Sequence, residues 1–398
     1  MDFLFGEKEE KFRTEVREFV KENMPDGHIH HMFDEEHDDK EWEFAMSMAR
    51  KMAERKWLTM SWPKEYGGMD APVWQRVVFG EEMAYWGVPG GGMGVSGTAW
   101  VGPVLMIFGT KEQQEKYLPP IAAGQDDGVW CTGYSEPDSG SDLASLQTRA
   151  ERVGDEYVVN GQKVWTSCAH RARWMWLLAR TKTDVQRNHD GLSIIMVDMK
   201  SEGVTVSPLK NFAGGHVFNE VFFKDVRVPA ENLVGKENEG WAELMTALSF
   251  ERGTAIAFTA SARRRFEHLV QYAKETGLMK KASVRSKLAD LAIDIESARL
   301  MAYEPVWKAE NGISGIHEPS RDKAAGDILS EKLTRIGTEM IGAYAQLDIL
   351  HKDSKWTKIQ GALEHLFYYC PGLAVAAGTT AVQKNIVAQF GLQLPKSY

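Results

Sequence analysis

Residues 130–142 read Trp130-Cys131-Thr132-Gly133-Tyr134-Ser135-Glu136-Pro137-Asp138-Ser139-Gly140-Ser141-Asp142. A strand runs into a loop rich in hydroxyls and glycine, at Ser135, Ser139, Gly140 and Ser141. Such a loop offers hydroxyl and backbone N–H donors to a polar ring edge or a phosphate. Further along comes Asn160-Gly161-Gln162-Lys163-Val164-Trp165-Thr166-Ser167, which reads as a turn followed by a strand carrying a tryptophan and two hydroxyls. Each stretch alone is a weak signal; in this order, with helical sequence on both sides, they form a strong one.

Working outward, residues 128–235 have the pattern of short strands. Trp174–Ala179 and Leu192–Val197 are nearly continuous apolar runs, as buried strands tend to be. Val221–Phe223 and Val226–Val228 bracket Lys224-Asp225 with the spacing of a hairpin, and Gly154-Asp155, Asn160-Gly161 and Gly203 read as turns. Before this block the period is helical: Phe12, Val16, Phe19 and Val20 share one face, and Asp39–Lys56 and Gln75–Trp86 follow the same rule. The Pro- and Gly-rich insert 62–72 reads as loop. After it, Trp241–Ala273, Val284–Asn311, Asp322–Leu347 and Leu363–Phe390 are four long segments with few breakers, suited to a helical bundle, with Gly312–Pro319 as a loop. Separate blocks of helix, strand and helix predict an α+β fold with an inserted β domain: residues 1–127, 128–237 and 238–398.

Composition limits the function. A chain of 398 residues with 43% hydrophobic and 26% charged residues fits a globular enzyme of two or three domains. Its formal charge of −9, with no long basic run, argues against nucleic-acid binding. No uncharged apolar run is long enough for a membrane span, and the N-terminus lacks the pattern of a signal or transit peptide. Cys131, Cys168 and Cys370 are odd in number and widely spaced, so we expect no disulfide framework or zinc site, and a cytoplasmic location. Cys131 and Cys168 read as small core or lining residues. Gly92-Met93-Gly94-Val95-Ser96-Gly97 matches a dinucleotide-binding pattern but follows a helix rather than a strand, so we read it as close packing. His28, His30, His31 and His37 lie among acids; a solvated loop is a simpler reading than a metal site. Most of the thirteen tryptophans should be core, leaving one or two to stack on a planar cofactor.

The sequence resembles the acyl-CoA dehydrogenase family over essentially its whole length. The matching stretches are 134–142, 160–167, Phe223–Gly235, Phe250-Glu251-Arg252-Gly253 and 378–395. The resemblance implies a mainly α fold with an N-terminal helical domain, a middle β-barrel-like domain and a C-terminal four-helix bundle. It implies FAD as cofactor, an acyl-CoA thioester as substrate, and an electron-transferring flavoprotein as acceptor. Carried over by position, Ser135 hydrogen-bonds the pyrimidine edge of the flavin and Ser141 contacts its phosphate side. Trp165 stacks on the isoalloxazine, Ser167 sits near N5, and Thr379 touches the FAD near its pyrophosphate. Arg252 corresponds to an arginine near the CoA and the active-site loop.

The chain departs from the commoner family pattern at the base. Many members carry a glutamate where this chain has Ala377, which cannot take a proton. A minority carry it immediately before the bundle arginine, where this chain has Glu251. The resemblance therefore assigns Glu251 as the α-proton base and leaves the Ala377 amide as a donor to the thioester oxygen. Thr276 stands where homotetrameric members place an arginine for a neighbour's FAD, and Gly342-Ala343-Tyr344-Ala345 replaces a glycine-rich element. This pattern resembles the large subunits of heteromeric acyl-CoA dehydrogenases, such as those acting on pimeloyl or steroid side-chain thioesters. It implies an α2β2 assembly with a paralogue, or else a homotetramer. Two alternatives stand beside the dehydrogenase reading: a non-catalytic or half-site subunit, and a decarboxylating relative. The small residues Gly90, Gly91, Gly92, Gly94, Gly97 and Ala99 border an acyl cavity with room for a bulky group, or simply allow close packing.

Overall fold

The computed structural model describes residues 5–27, 39–91, 97–249, 254–313, 315, 317–347, 349 and 352–396. Among these are seven strands in one curled sheet: β1 (Trp130–Gly133), β2 (Arg149–Val153), β3 (Glu156–Lys163), β4 (Trp174–Arg180), β5 (Leu192–Asp198), β6 (Val204–Leu209) and β7 (Phe218–Pro229). The order is β1-β4-β2-β3-β7-β6, with β5 pairing antiparallel to β4. The apolar runs in β4 and β5 follow from burial on both faces. Trp176 and Leu178 join Leu192, Ile194 and Met196 in one core, while Met175, Leu177 and Ala179 join Ile195 and Val197 in another. Side chains alternate across a strand, so a strand packed on both sides has no polar positions to show.

Two readings of this block are corrected. The supposed hairpin at Lys224-Asp225 is a bulge within the continuous strand β7. Val159 pairs with Val226 but Gly161 pairs with Phe223, so Lys224 and Asp225 together oppose Asn160. Asp225 takes a left-handed φ of 51°, and the Asn160 side chain closes the bulge by donating to Asp225 Oδ1 and accepting from its N–H. Asn160-Gly161 is therefore not a turn but part of β3. Gly161 is required there because a Cβ would sit 2.5 Å from Thr148 Oγ1 and 2.7 Å from Thr148 Cα. As a result, Trp165, Thr166 and Ser167 lie in the loop after β3 rather than on a strand.

Helices fill the rest: α1 (Glu7–Asn23), α2 (Asp39–Glu54), α3 (Val73–Trp86), α4 (Gly102–Phe108), α5 (Lys111–Ala122), α6 (Gly240–Ser249), α7 (Thr254–Glu275), α8 (Ala282–Glu310), α9 (Glu318–Ile341), α10 (Ala362–Val375) and α11 (Thr380–Ile386). By contacts the chain forms two compact units. One comprises residues 1–32, 72–88 and 252–398; the other comprises 33–71 and 89–251. In the first, α7 to α10 share a core of Leu269, Leu291, Leu333 and Leu363, which is the four-helix bundle. There α1 buries the expected Phe12, Val16, Phe19 and Val20, and Arg13 and Arg17 grip Glu82 of α3. In the second unit, α4 and α5 pack on the sheet around Trp62, Trp130 and Trp176. Gly102 is fixed by this packing, since its Cβ would fall 2.0 Å from the Trp62 ring.

The segment Leu363–Phe390 is interrupted after Val375, where Ala377 and Gly378 take φ of 52° and 80°. Among the described residues no helix is long and apolar enough to cross a membrane, and no group of His, Cys, Asp and Glu could hold a metal. His28, His30, His31 and His37, and residues 92–96 of the glycine pattern, lie outside the described residues.

One carboxyl in the second unit carries a pH signature. Glu243 of α6 is buried and its Oε2 has no hydrogen-bond partner. Burial pushes its carboxyl up to about 8, against the Lys236 backbone N–H, with Glu239 adding repulsion. An unfolded glutamate titrates near 4.3, so the folded state holds this proton more tightly. Its stabilising contribution is full below about pH 4.3 and is lost as pH rises through about 8. Glu243→Gln should remove this dependence. Its melting temperature relative to wild type should rise between pH 5.5 and pH 9, measured by thermal unfolding across about that interval.

Candidate active site

β1 ends at Gly133 and delivers the chain into the 134–142 loop. The loop reverses tightly at Pro137-Asp138, with Glu136 and Ser139 exchanging both backbone hydrogen bonds. Its anchor is ionic. Glu136 accepts from Lys163 Nζ at 2.9 Å, from the Gln147 N–H at 2.6 Å and from the Thr148 N–H at 2.8 Å. Lys163 Nζ also donates to the Tyr134 carbonyl at 2.9 Å, and its side chain is 0% exposed. Lys163 points inward by the alternation of β3, so one buried ammonium joins β3 to the loop. Burial lowers the Lys163 ammonium to about 8 despite the support of Glu136. Burial alone would raise the Glu136 carboxyl, but Lys163 and the two N–H donors hold it below its ordinary value. A second buried cation, Arg180, donates to the carbonyls of Ala144, Leu146, Asn188 and Asp190, pinning the stretch that follows.

The second loop is tied to the first and to β7. The Val164 N–H donates to the Ser135 carbonyl at 2.9 Å. Thr166 and Asn219 exchange both backbone hydrogen bonds, and the Cys168 N–H donates to the Val217 carbonyl. Trp165 and Cys168 adopt left-handed φ of 59° and 58°. Such backbone strain in non-glycine residues persists only where the surroundings enforce it, and it concentrates at functional sites. The Trp165 ring is 57% exposed and meets Phe218 edge to face, whereas Trp62, Trp130 and Trp176 are buried. The Thr166 hydroxyl is buried with no protein partner.

Of the described sequence-assigned residues, four lie in one unit and two in the other. Ser135, Ser141, Trp165 and Ser167 are gathered on these two joined loops of one unit, with Ser135 and Ser167 half-buried and Ser141 exposed. Ala377 and Thr379 belong to the other unit. Thr379 caps α11 by accepting from the Val382 N–H, and Gln383 Nε2 donates to the Ala377 carbonyl. Glu251 and Arg252 lie outside the described residues. Cys131 is buried and its thiol is pushed far up by burial, which removes it as a nucleophile. Sequence reading missed Glu136, Lys163 and Asn219. A lysine facing inward on a strand was the available signal, hidden by reading Asn160-Gly161 as a turn.

An exposed aromatic plate on a constrained loop, beside several hydroxyls and an unpartnered buried one, fits a planar ring with a polar edge such as a flavin. Comparison with known proteins agrees. The acyl-CoA dehydrogenase N-terminal, middle and C-terminal domain profiles match residues 6–125, 131–226 and 238–392. Acyl-CoA dehydrogenase IpdE1 of Mycobacterium tuberculosis is 32% identical over 402 residues, covering 97% of this chain and 98% of that protein. Among solved structures, the Tcur3481-Tcur3483 steroid ACAD superposes with a TM-score of 0.88 at 30% identity, covering 100% of both chains. The ChsE4-ChsE5 complex from Mycobacterium tuberculosis gives 0.87 at 30% identity, again covering 100% of both chains. The chain belongs to the acyl-CoA dehydrogenase family. It is an FAD-dependent oxidoreductase.

The buried pair gives a direct test. Lys163→Met leaves the Glu136 carboxylate buried without its cation and should cost about 3–5 kcal/mol by chemical denaturation. The double substitution Glu136→Gln/Lys163→Met should cost less than Lys163→Met alone, because no unpaired charge remains.

Proposed function

We propose that this chain removes the α proton of an acyl-CoA thioester with Glu251 and yields the 2,3-enoyl-CoA, the electrons passing to an electron-transferring flavoprotein. The observation that carries this reading is the pair of loops locked by Glu136 and Lys163, which present Trp165 with Ser135, Ser141 and Ser167. FAD, when bound, supplies a hydride acceptor for the β carbon. In this reading Ser135 holds the pyrimidine edge, Ser141 the phosphate side, Trp165 the ring face and Ser167 the N5 region, with Thr379 near the pyrophosphate. The Ala377 methyl cannot accept a proton, so its N–H is assigned to the thioester oxygen, Arg252 to the CoA side and Glu251 to the proton. Glu251→Gln should abolish turnover and α-proton exchange while the visible flavin band is retained. Turnover like that of wild type would overturn the assignment.

We further propose that a paralogous partner completes the FAD site in an α2β2 assembly. Thr276 carries no charge and its hydroxyl donates to the Tyr272 carbonyl, so that position supplies no cation to a phosphate. The ChsE4-ChsE5 relative, itself a complex, supports this. The steroid ACAD relative favours a bulky, cyclic acyl group. The three-domain division 1–127, 128–237 and 238–398 remains part of this reading. A non-catalytic subunit is the second reading, favoured by Ala377 and Thr276. The chain purified alone should be poor in flavin and gain it on co-expression with the partner. A fully flavinated, active homotetramer of this chain alone, by size exclusion and mass measurement, would reject the α2β2 proposal.

A further inference from the structure

Asn219, at the start of β7, is 0% exposed and every polar atom it has is engaged toward the Trp165–Ser167 loop or the residues beside it. Its backbone pairs with Thr166 in both directions. Its side-chain Nδ2 lies 3.0 Å from the Thr166 carbonyl, 3.4 Å from the Val217 carbonyl and 3.2 Å from His170 Nδ1. Its Oδ1 lies 2.9 Å from His216 Nε2. A carbonyl can only accept, so the atom facing Thr166 must be the amide nitrogen, and the orientation of the amide follows. The nitrogen can only donate. Its two hydrogens serve Thr166 and His170 at the shorter distances, so His170 Nδ1 accepts and the His170 hydrogen sits on Nε2, a buried atom with no partner, while His216 Nε2 must donate to Oδ1. The two imidazoles stack at 4.3 Å and 19°, flanking the amide. The low basicity of His170, down to about 4 through burial and its neighbours His216 and Arg171, agrees with the neutral form.

We infer that Asn219, oriented by His170 and His216, is the positioning residue that holds the Trp165–Ser167 loop in its strained shape. Two residues in four there, Trp165 and Cys168, are left-handed without being glycine. A loop of that kind relaxes when released. The backbone pairing at Thr166 is available to any residue at 219, so what is particular to asparagine is the second bond to the Thr166 carbonyl, from Nδ2, and its orientation by the imidazoles. The inference rests on the proposed function, in which Trp165 and Ser167 face the flavin.

The test uses the complete protein, co-expressed with its partner if one is needed for flavin. Asn219→Asp keeps the size but turns an acceptor toward the Thr166 carbonyl. We expect FAD affinity to fall about tenfold or more, the order expected when a buried hydrogen bond becomes a repulsion. The shoulders of the flavin absorption band should change, and amide exchange should accelerate at Thr166 and Cys168 while α7 to α9 keep their protection. Unchanged FAD affinity, spectrum and exchange would overturn the inference. If the wild-type protein takes up no FAD under any condition, the functional reading fails, and exchange at Thr166 and Cys168 alone decides the tether. Should Asn219→Asp not fold, His170→Phe removes the acceptor and His170→Asn restores one. Loosening of the loop in the first and recovery in the second supports the inference, and identical behaviour in both rejects it.

Discussion

A lysine sealed in the middle sheet against a single carboxylate fixes the two loops that carry the candidate site. Lys163 reaches Glu136 and the Tyr134 carbonyl in one move, so the loop leaving β1 and the strand entering the Trp165 loop share one anchor. Buried ion pairs add little net stability compared with apolar packing, and their value lies in the arrangements they forbid. Any shift in the register of β3 would turn Lys163 away from Glu136 and strand both charges. The bulge at Asp225 and the contact between Gly161 and Thr148 fix that register independently. The ion pair, the bulge and the glycine thus specify the same alignment.

The apolar packing supplies the rigidity these polar contacts need. β4 and β5, covered on both faces, present no face that can drift, and Arg180 extends the framework by collecting four carbonyls from the connecting chain. Loops that would otherwise relax are held by a scaffold of strands, which is how strained conformations at Trp165 and Cys168 persist. Asn219 works on the same principle one strand further on.

Much of this plan was legible in the sequence because it follows from periodicity. The α1 face came from helical spacing and the two buried strands from unbroken apolar runs, and the helical character of the bundle was legible too, although Leu363–Phe390 breaks after Val375. The errors occurred where long-range contacts override local signals. Asn160-Gly161 has the chemistry of a turn, but pairing with β7 draws it into a strand, and Lys224-Asp225 becomes a bulge for the same reason. Ala377 is a helix former in a helical stretch, yet it adopts a left-handed backbone that no propensity suggests. Of the candidate site, the hydroxyls and Trp165 were singled out by motifs. Glu136, Lys163 and Asn219 were not, because their importance lies in partners far apart in sequence.

The left-handed backbone at Ala377 has an evolutionary consequence. The strain there belongs to the main chain and weighs about equally on alanine and glutamate, since both carry a Cβ. A lineage could therefore exchange the side chain at this position without remodelling the turn that displays it. Whatever side chain stands at 377, the N–H keeps its place in the turn. A backbone shape that any side chain with a Cβ adopts at similar cost leaves the scaffold free to change which group it displays there.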